Sequence, residues 1–429
     1  MDTLENLLST SERACIIDAE FDIDAVIRAQ SLSSHFQPII SIRESRVIGL
    51  EALARATDPA SGKTIAPGDL FQAASLHKKK LPLEQLCRAA SISGFKTVSS
   101  LDPDLILFLN LDVSLLDETA AGSNAIINLA NEWEIPPERI AIEFIESKIR
   151  DERALQRFLK SHRKKGFLIA LDDMGAGHSN LERIPSIKPD IIKIDRSLIE
   201  GINREYHKQE LFDFFIKLAH KIGVMVVAEG IETEAEALCC LERGADLVQG
   251  FYFARPQPAD KSCLESGLGH ARLLRTVLKD HMVSEFHKRK EKFRAYNDIA
   301  SRICAIVELS QPDQYEIMLE NAIARFPSVE CAYVIHESGR QMTRTVLNPK
   351  RAHRKRTALF GPAGPGGDQS TKDYFIYLDQ HQRRFVTDPY VSIVSGNVCV
   401  TISNRVSHAP GESFVVCVDI ELTDEFVPS

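Results

Sequence analysis

Between residues 35 and 260, short apolar runs alternate with amphipathic stretches, and this spacing predicts a strand-then-helix order. The strand candidates are Leu105–Asp112, Ile140–Phe144, Leu168–Asp172, Ile191–Ile194, Val224–Ala228 and Leu247–Gly250. Helical stretches fall between them at Leu83–Val98, Glu152–Lys164, Glu210–Ile222 and Glu234–Glu242. Ahead of these, His35–Ser41 and Val47–Arg55 are two apolar runs joined by a polar turn, which predicts a hairpin. Two early strands followed by six β-then-α units predict an α/β protein, a modified (βα)8 TIM-type barrel with an irregular first strand. Residues 1–34 are expected to be a lead-in with one short amphipathic helix carrying Ile23, Val26 and Ile27.

The period changes after residue 260. Apolar positions at Leu274, Leu278, Met282, Phe286, Phe293, Ile299 and Ile303 keep helical spacing, so 261–308 is expected to be a helical linker, with the charged run His287–Lys292 on a solvated face. From Gln311 the alternation becomes that of antiparallel strands, at Cys331–His336, Tyr374–Leu378, Val398–Ser403 and Phe414–Leu422. A Pro/Gly-rich loop is expected at Leu347–Thr371. The predicted division is 1–34, 35–260, 261–308 and an α+β domain at 309–429.

Composition narrows the function classes. A chain of 429 residues with 44% hydrophobic and 26% charged residues can build two cores, and no apolar run approaches the roughly 18 residues of a membrane span. The N-terminus, Met1-Asp-Thr-Leu-Glu-Asn, lacks the basic and apolar segments of a secretory signal. Nine cysteines without a CxxC pair are expected to be reduced thiols, with Cys239-Cys240 ordinary helix packing, and a cytoplasmic location follows. A net charge of −8 disfavours nucleic acid as a partner, and the basic run Lys350–Arg356 is read as a solvated loop.

Chemistry is concentrated at the predicted strand ends. In Leu168-Ile-Ala-Leu-Asp172-Asp173 a buried strand is expected to end on two adjacent carboxylates, followed by Gly175-Ala176-Gly177. The other ends carry Glu51, Asn110, Glu143 and Glu146, Lys193 and Asp195, Glu229 and Glu232, and Gln249. In a barrel of this kind all these ends meet at one face. So many acids and amides around a single lysine call for cations, and hard divalent ions such as Mg²⁺ or Mn²⁺ take oxygen ligands.

With these motifs in view, the chain resembles EAL-domain cyclic-di-GMP phosphodiesterases. Glu51-Ala52-Leu53, Asn110, Glu143-x-x-Glu146, Asp172-Asp173, Lys193-Ile-Asp195, Ala228-Glu229-Gly230 and Gln249-Gly250 stand in the family's order and spacing, from about Phe36 to Pro258. The resemblance implies hydrolysis of cyclic di-GMP to linear pGpG with two Mg²⁺ or Mn²⁺ ions. It implies Glu51, Asn110, Glu143 and Asp172 as ligands of the first ion, with Asp172 and Asp173 on the second. Lys193 and Glu229 are implied as the catalytic pair, either one a candidate base. Arg55 would meet substrate phosphate, and Gln37, Asp195, Glu232 and Gln249 would line the dinucleotide. Glu146 would support the loop after Asp173.

Two stretches depart from the family pattern. Met174, Ala176 and His178 replace its Phe, Thr and Tyr, so a loosened loop and low turnover are expected. This keeps open a different class, a receptor that binds cyclic di-GMP without cleaving it and signals to a partner. Leu70–Ser75 replaces Phe-Ile-Pro-Leu-Ala-Glu and is expected to bear on packing rather than on the metals. No GGDEF-type motif is present. The C-terminal segments Arg384–Tyr390 and Gly396–Ser403 resemble PAS-like and Cache-like sensor domains, which implies either a small-molecule ligand there that regulates the barrel or a domain serving only as a dimerisation platform, with a homodimer expected.

Overall fold

The computed structural model describes residues 21–116, 122–145, 149, 151–177, 181–350, 362–378, 382–392, 395–409 and 412–422. The chain divides into two compact units, Met1–Asp280 and His281–Ser429.

In the first unit, β1 (Leu32–Ser41) and β2 (Arg46–Thr57) form the expected hairpin, with Gln37 opposite Glu51. β4 (Ile106–Asn110), β5 (Ile140–Ile145), β6 (Leu168–Met174), β7 (Ile191–Ile194), β8 (Met225–Ala228) and β9 (Leu247–Val248) then add in parallel, each beside its predecessor. The ring closes where Ile40 of β1 pairs antiparallel with Val248. A short β3 (Thr64–Ile65) extends the open edge of β2. The result is the predicted eight-strand barrel, irregular because β1 runs against the other seven. Its strands are almost wholly apolar because helices cover the outside and side chains fill the inside.

The surrounding helices follow sequence signals. In Glu152–Lys165, Asp151 accepts from the backbone of Arg153 and Ala154, and Gly166 ends the helix at φ 101. Leu155, Phe158, Leu159 and His162 form the buried stripe between those caps. Truncating Phe158 to Ala is expected to cost about 3–5 kcal/mol. Ile23 and Val26 of helix Ile23–Arg28 pack on Ala56, Ile65 and Leu70, so this helix belongs to the first unit's core. Cys239 and Cys240 are buried free thiols within a helix, as expected.

Helical periodicity after residue 261 corresponds to a short turn, Ser262–Glu265, and one helix of 41 residues, Leu268–Glu308. The second unit has an antiparallel sheet ordered β11-β10-β15-β14-β12, with β13 beside β14. Its strands are β10 (Val329–His336), β11 (Val346–Leu347), β12 (Arg384–Val386), β13 (Tyr390–Val391), β14 (Val398–Ala409) and β15 (Glu412–Glu421). Val334, Val400, Ile402, Val416 and Val418 pack on Ala300, Ile303 and Leu319 of the helices. The other face carries Tyr333, Ile335 and Cys417 beside a buried polar network, in which Thr401 donates to Asp419 at 2.8 Å and Ser395 donates to Glu330 at 2.6 Å. The strand expected at Tyr374–Leu378 is instead a short helix, Asp373–Ile376. Its rings pack against the sheet rather than joining a ladder, Tyr374 edge-on to Tyr333 and Tyr377 stacked on Phe385.

Candidate active site

The barrel interior explains how the site forms. Ile39, Phe108, Ala141, Ala170, Ile191, Val227 and Leu247 make one buried cluster, one residue from each of seven strands. The eighth strand contributes Gly49, where a Cβ would lie 2.5 Å from the Phe108 ring. Side chains alternate along a strand, so the residue two positions nearer the mouth also faces inward. Those residues are Glu51, Asn110, Glu143, Asp172, Lys193, Glu229, Gln249 and, on the reversed strand, Gln37. An apolar plug thus carries a polar ring.

Lys193 stands at the centre of that ring. Its Nζ lies 3.5 Å from Glu51 Oε2 and 3.7 Å from Asp172 Oδ1, and it contacts Glu143 Oε1 and Glu229 Oε1. Glu143 is fully buried and Lys193 is 1% exposed. Burial pushes the Glu143 and Glu229 carboxyls well above the usual range; Lys193 opposes this, and the neighbouring acids reinforce it. Burial alone would discharge Lys193, but Asp172, Glu143, Glu229 and Glu51 together outweigh it and hold the ammonium well above its ordinary pKa.

Four carboxylates around one ammonium leave an excess of buried negative charge. Glu143 Oε2 is buried without a hydrogen-bond partner among the described residues, and Asp172 Oδ1 and Glu229 Oε1 are answered by the Lys193 ammonium alone. One oxygen from each of these three acids lies within 4.8 Å of the others. An all-oxygen donor set with an unsatisfied buried carboxylate oxygen fits a hard divalent cation such as Mg²⁺ or Mn²⁺.

Amides orient the remaining acid. Glu51 accepts from Asn110 Nδ2 at 3.3 Å through one oxygen and from Gln249 Nε2 at 2.6 Å through the other. Gln249 also donates to Gln37 Oε1 at 3.3 Å, and Gln37 donates to the Ala254 carbonyl at 3.0 Å. Gly250 has no alternative residue, since a Cβ there would stand 2.0 Å from the Ile231 carbonyl.

The aspartate pair differs from expectation. β6 does not end at Asp172 but continues to Met174, and its register against β7 slips between Leu171 and Met174. This bulge puts Asp173 in the left-handed region at φ 58, the device by which a strand re-aims a side chain at a functional edge. Asp172 joins the central cluster, whereas Asp173 is outside the converging acids. Met174, expected to loosen the loop, is 1% exposed within the barrel core, and its carbonyl accepts from Asp195 N at 2.9 Å. His178 and Glu146 lie outside the described residues.

Two recesses meet at Glu51. The smaller, about 220 Å³, is lined by Gln37, Asp195, Arg196, Glu229, Glu232 and Gln249. In it Asp195 caps the next helix by accepting from Ser197 N at 2.9 Å, and Glu232 pairs with Arg196 at 2.9 Å. The larger, about 720 Å³, is bounded by Glu51, Arg55, Asn110, Phe71, Lys80, Glu84 and Arg88. Arg55 donates to the Ala54 carbonyl at 2.8 Å. Sequence reasoning missed Phe71, Lys80, Glu84 and Arg88. Of Leu70–Ser75, expected to bear on packing rather than on the metals, Leu70, Ala73 and Ala74 are buried, and Phe71, Gln72 and Ser75 line this cavity.

Fold and mouth together define a TIM-type barrel whose chemistry is assembled at the C-terminal strand ends from carboxylates suited to divalent cations. The EAL domain family model matches residues 22–256, over half of the chain, and the chain belongs to that family. The signaling protein YkoW of Bacillus subtilis is 27% identical over 237 residues, which is 53% of this chain and 28% of YkoW. The probable cyclic di-GMP phosphodiesterase PdeN of Escherichia coli is 29% identical over 241 residues, 56% of this chain and 46% of PdeN. The chain therefore spans less than half the length of these relatives. The Bacillus subtilis YkuI protein, which has an EAL domain and was solved with cyclic di-GMP and calcium, superposes with a TM-score of 0.76 at 21% identity. That likeness covers 94% of this chain and all of YkuI, and it establishes the fold of both units. The PaMucR phosphodiesterase in complex with cyclic di-GMP gives 0.51 at 25% identity over 56% of this chain and 96% of its own. Among the described residues, no helix is long and apolar enough to cross a membrane.

Proposed function

We propose that this chain hydrolyses cyclic di-GMP to linear pGpG in a reaction dependent on Mg²⁺ or Mn²⁺. The observation that carries this reading is the convergence of Glu143, Asp172 and Glu229 within 4.8 Å around a single ammonium, with Glu143 Oε2 left without a partner among the described residues, inside an EAL-family barrel. Glu51, Asn110, Glu143 and Asp172 would hold one ion, and Asp172 with Asp173 a second. Ions bound there supply Lewis acidity to the phosphodiester oxygens and make a water more acidic.

The chain's own groups then divide the remaining work. Lys193, held charged by its four carboxylate neighbours, orients the attacking water and adds positive charge beside the phosphorus. Glu229 is placed to take the water's proton. The water oxygen bonds to phosphorus, the P–O3′ bond breaks, and the departing 3′ oxygen takes a proton to become a hydroxyl. Arg55 offers a forked donor to phosphate, while Gln37, Asp195, Glu232 and Gln249 wall the dinucleotide. Without bound cations the acidic mouth repels this dianionic substrate, so binding itself depends on metal.

A second reading, a receptor that retains cyclic di-GMP uncleaved and signals to a partner, is favoured by one feature. Ala176 stands where the family has a threonine hydroxyl. Incubating the purified full chain with cyclic di-GMP and Mg²⁺ or Mn²⁺ separates the two. The phosphodiesterase reading expects pGpG, abolished by EDTA. Binding without product over hours selects the receptor, and absence of binding rejects both.

A further inference from the structure

Helix Lys80–Ser99 packs Leu83, Ile92, Phe95 and Val98 into the barrel core, and on the same buried side it carries an arginine. Arg88 is 4% exposed, and its Nε has no hydrogen-bond partner among the described residues. Among the described residues no carboxylate stands within salt-bridge distance of it, although Glu84 acts on it electrostatically. A guanidinium with its Nε buried and unpartnered leaves the rest of its fork free to meet an acceptor from the cavity. Arg88 lines the 720 Å³ cavity that opens beside Glu51 and Asn110.

The rest of that wall says what the acceptor is. Phe71 is 40% exposed and borders the cavity, as a platform for a flat ring would. Glu84, one helical turn before Arg88, borders it as well. Glu51 and Asp112 add further negative charge around the opening. Lys80 and Arg55 border it too, but Lys80 is paired with Asp112 at 3.8 Å and Arg55 is assigned to phosphate in the proposed function. A guanine presents acceptors at O6 and N7, which match a forked guanidinium, and N–H donors on its other edge, which match a carboxylate.

Resting on the proposed function, we propose that Arg88 is a base-recognition residue, which reads O6 and N7 of one guanine of the bound dinucleotide from the floor of this cavity. Phe71 stacks on that base, and Glu84 accepts from its N1 and N2 edge. Glu51 and Asn110 border the cavity but Glu143, Lys193 and Glu229 do not, so Arg88 acts on affinity and base choice rather than on bond cleavage.

The test is a calorimetric comparison of cyclic di-GMP with its 7-deazaguanine analogue, which lacks N7 only. It uses the full chain and Ca²⁺ as the oxygen-bound ion. The native protein is expected to bind cyclic di-GMP at least about tenfold more tightly than the analogue. Arg88→Met is expected to erase that difference by weakening cyclic di-GMP alone, with its melting temperature kept. Equal binding of both ligands by the native protein overturns the inference, as does a difference that survives in Arg88→Met. If Arg88→Met does not fold, Arg88→Lys, which keeps the charge but loses the fork, carries the same comparison. If the native protein binds neither dinucleotide, the proposed function fails and takes this inference with it, an outcome distinct from intact binding that ignores N7.

Discussion

Gln249 donates to Glu51 Oε2 at 2.6 Å, joining two strand ends that are 198 residues apart in sequence. The bond fixes the carboxylate that the hairpin contributes, while Asn110 fixes its other oxygen. Gln249→Ala is therefore expected to free Glu51 rather than remove it. Losing one charge-assisted hydrogen bond corresponds to about 1.5–3 kcal/mol, and a weakening of Mn²⁺ by about tenfold or more is expected in a metal titration. An unchanged metal midpoint would show that Glu51 does not depend on Gln249.

Among the described residues Lys193 supplies the one ammonium that meets the four acids, and Lys193→Met removes it. The metal-free protein is expected to lose on the order of 3–5 kcal/mol, because breaking a buried pair leaves uncompensated charge. Excess Mn²⁺ should then raise the melting temperature by more than it does in the native protein, while pGpG formation falls by at least about 10²-fold. A smaller Mn²⁺-induced shift than native would contradict the view that lysine and metal answer the same charge.

Asp173 combines a special backbone conformation with a carboxylate, and two substitutions separate them. Asp173→Gly is expected to be about 0.5–1 kcal/mol more stable than Asp173→Ala, since only glycine adopts φ 58 without strain. Both should lower turnover alike if the carboxylate holds an ion. Recovery of activity in Asp173→Gly alone would assign the residue a purely conformational role.

Asp419, in the second unit, gives a pH dependence of definite sign. Burial pushes its carboxyl up to about 6, against an ordinary 3.8, although Thr401 and Cys331 donate to it. The folded protein thus keeps a proton that the unfolded chain releases between about pH 4 and 6. Stability present below that window is lost as pH rises through it, by on the order of 2–3 kcal/mol, and stays lost above. Amide exchange in β14 and β15, corrected for intrinsic rate, should quicken accordingly, and Asp419→Asn should flatten the trend. A profile that rises with pH would reverse the assignment.

How far the sequence reaches depends on the physical scale of each feature. The barrel was legible because seven plug residues must be apolar or small, and the ring above them because chemistry confines acids to strand ends. The bulge at Asp173 was not legible, since a slip of one residue leaves the same letters in the same order. Tyr374–Leu378 alternates as a strand does, and only the sheet already filling that space turns it into a helix. Arg88 was passed over for a related reason. On an apolar helical face a long cation is ordinarily taken to snorkel, and nothing in the local pattern shows that its head ends in a cavity. That Met174 enters the core was not legible from the residue it replaces.

The reversed β1 has a consequence for how the barrel is addressed. In a barrel of eight like strands the chain enters at the base, remote from the chemistry. Here Leu32 lies opposite Ala56, beyond Glu51 in the direction of the mouth, so the described chain arrives at the rim. It departs at the other end, where Arg275 donates to Ser45 in the turn between β1 and β2, at 3.5 Å. Entry and exit are polarised along the barrel axis. A reporter attached at Leu32 would stand at the doorway of the reaction, whereas one attached at Arg275 would stand at the foundation.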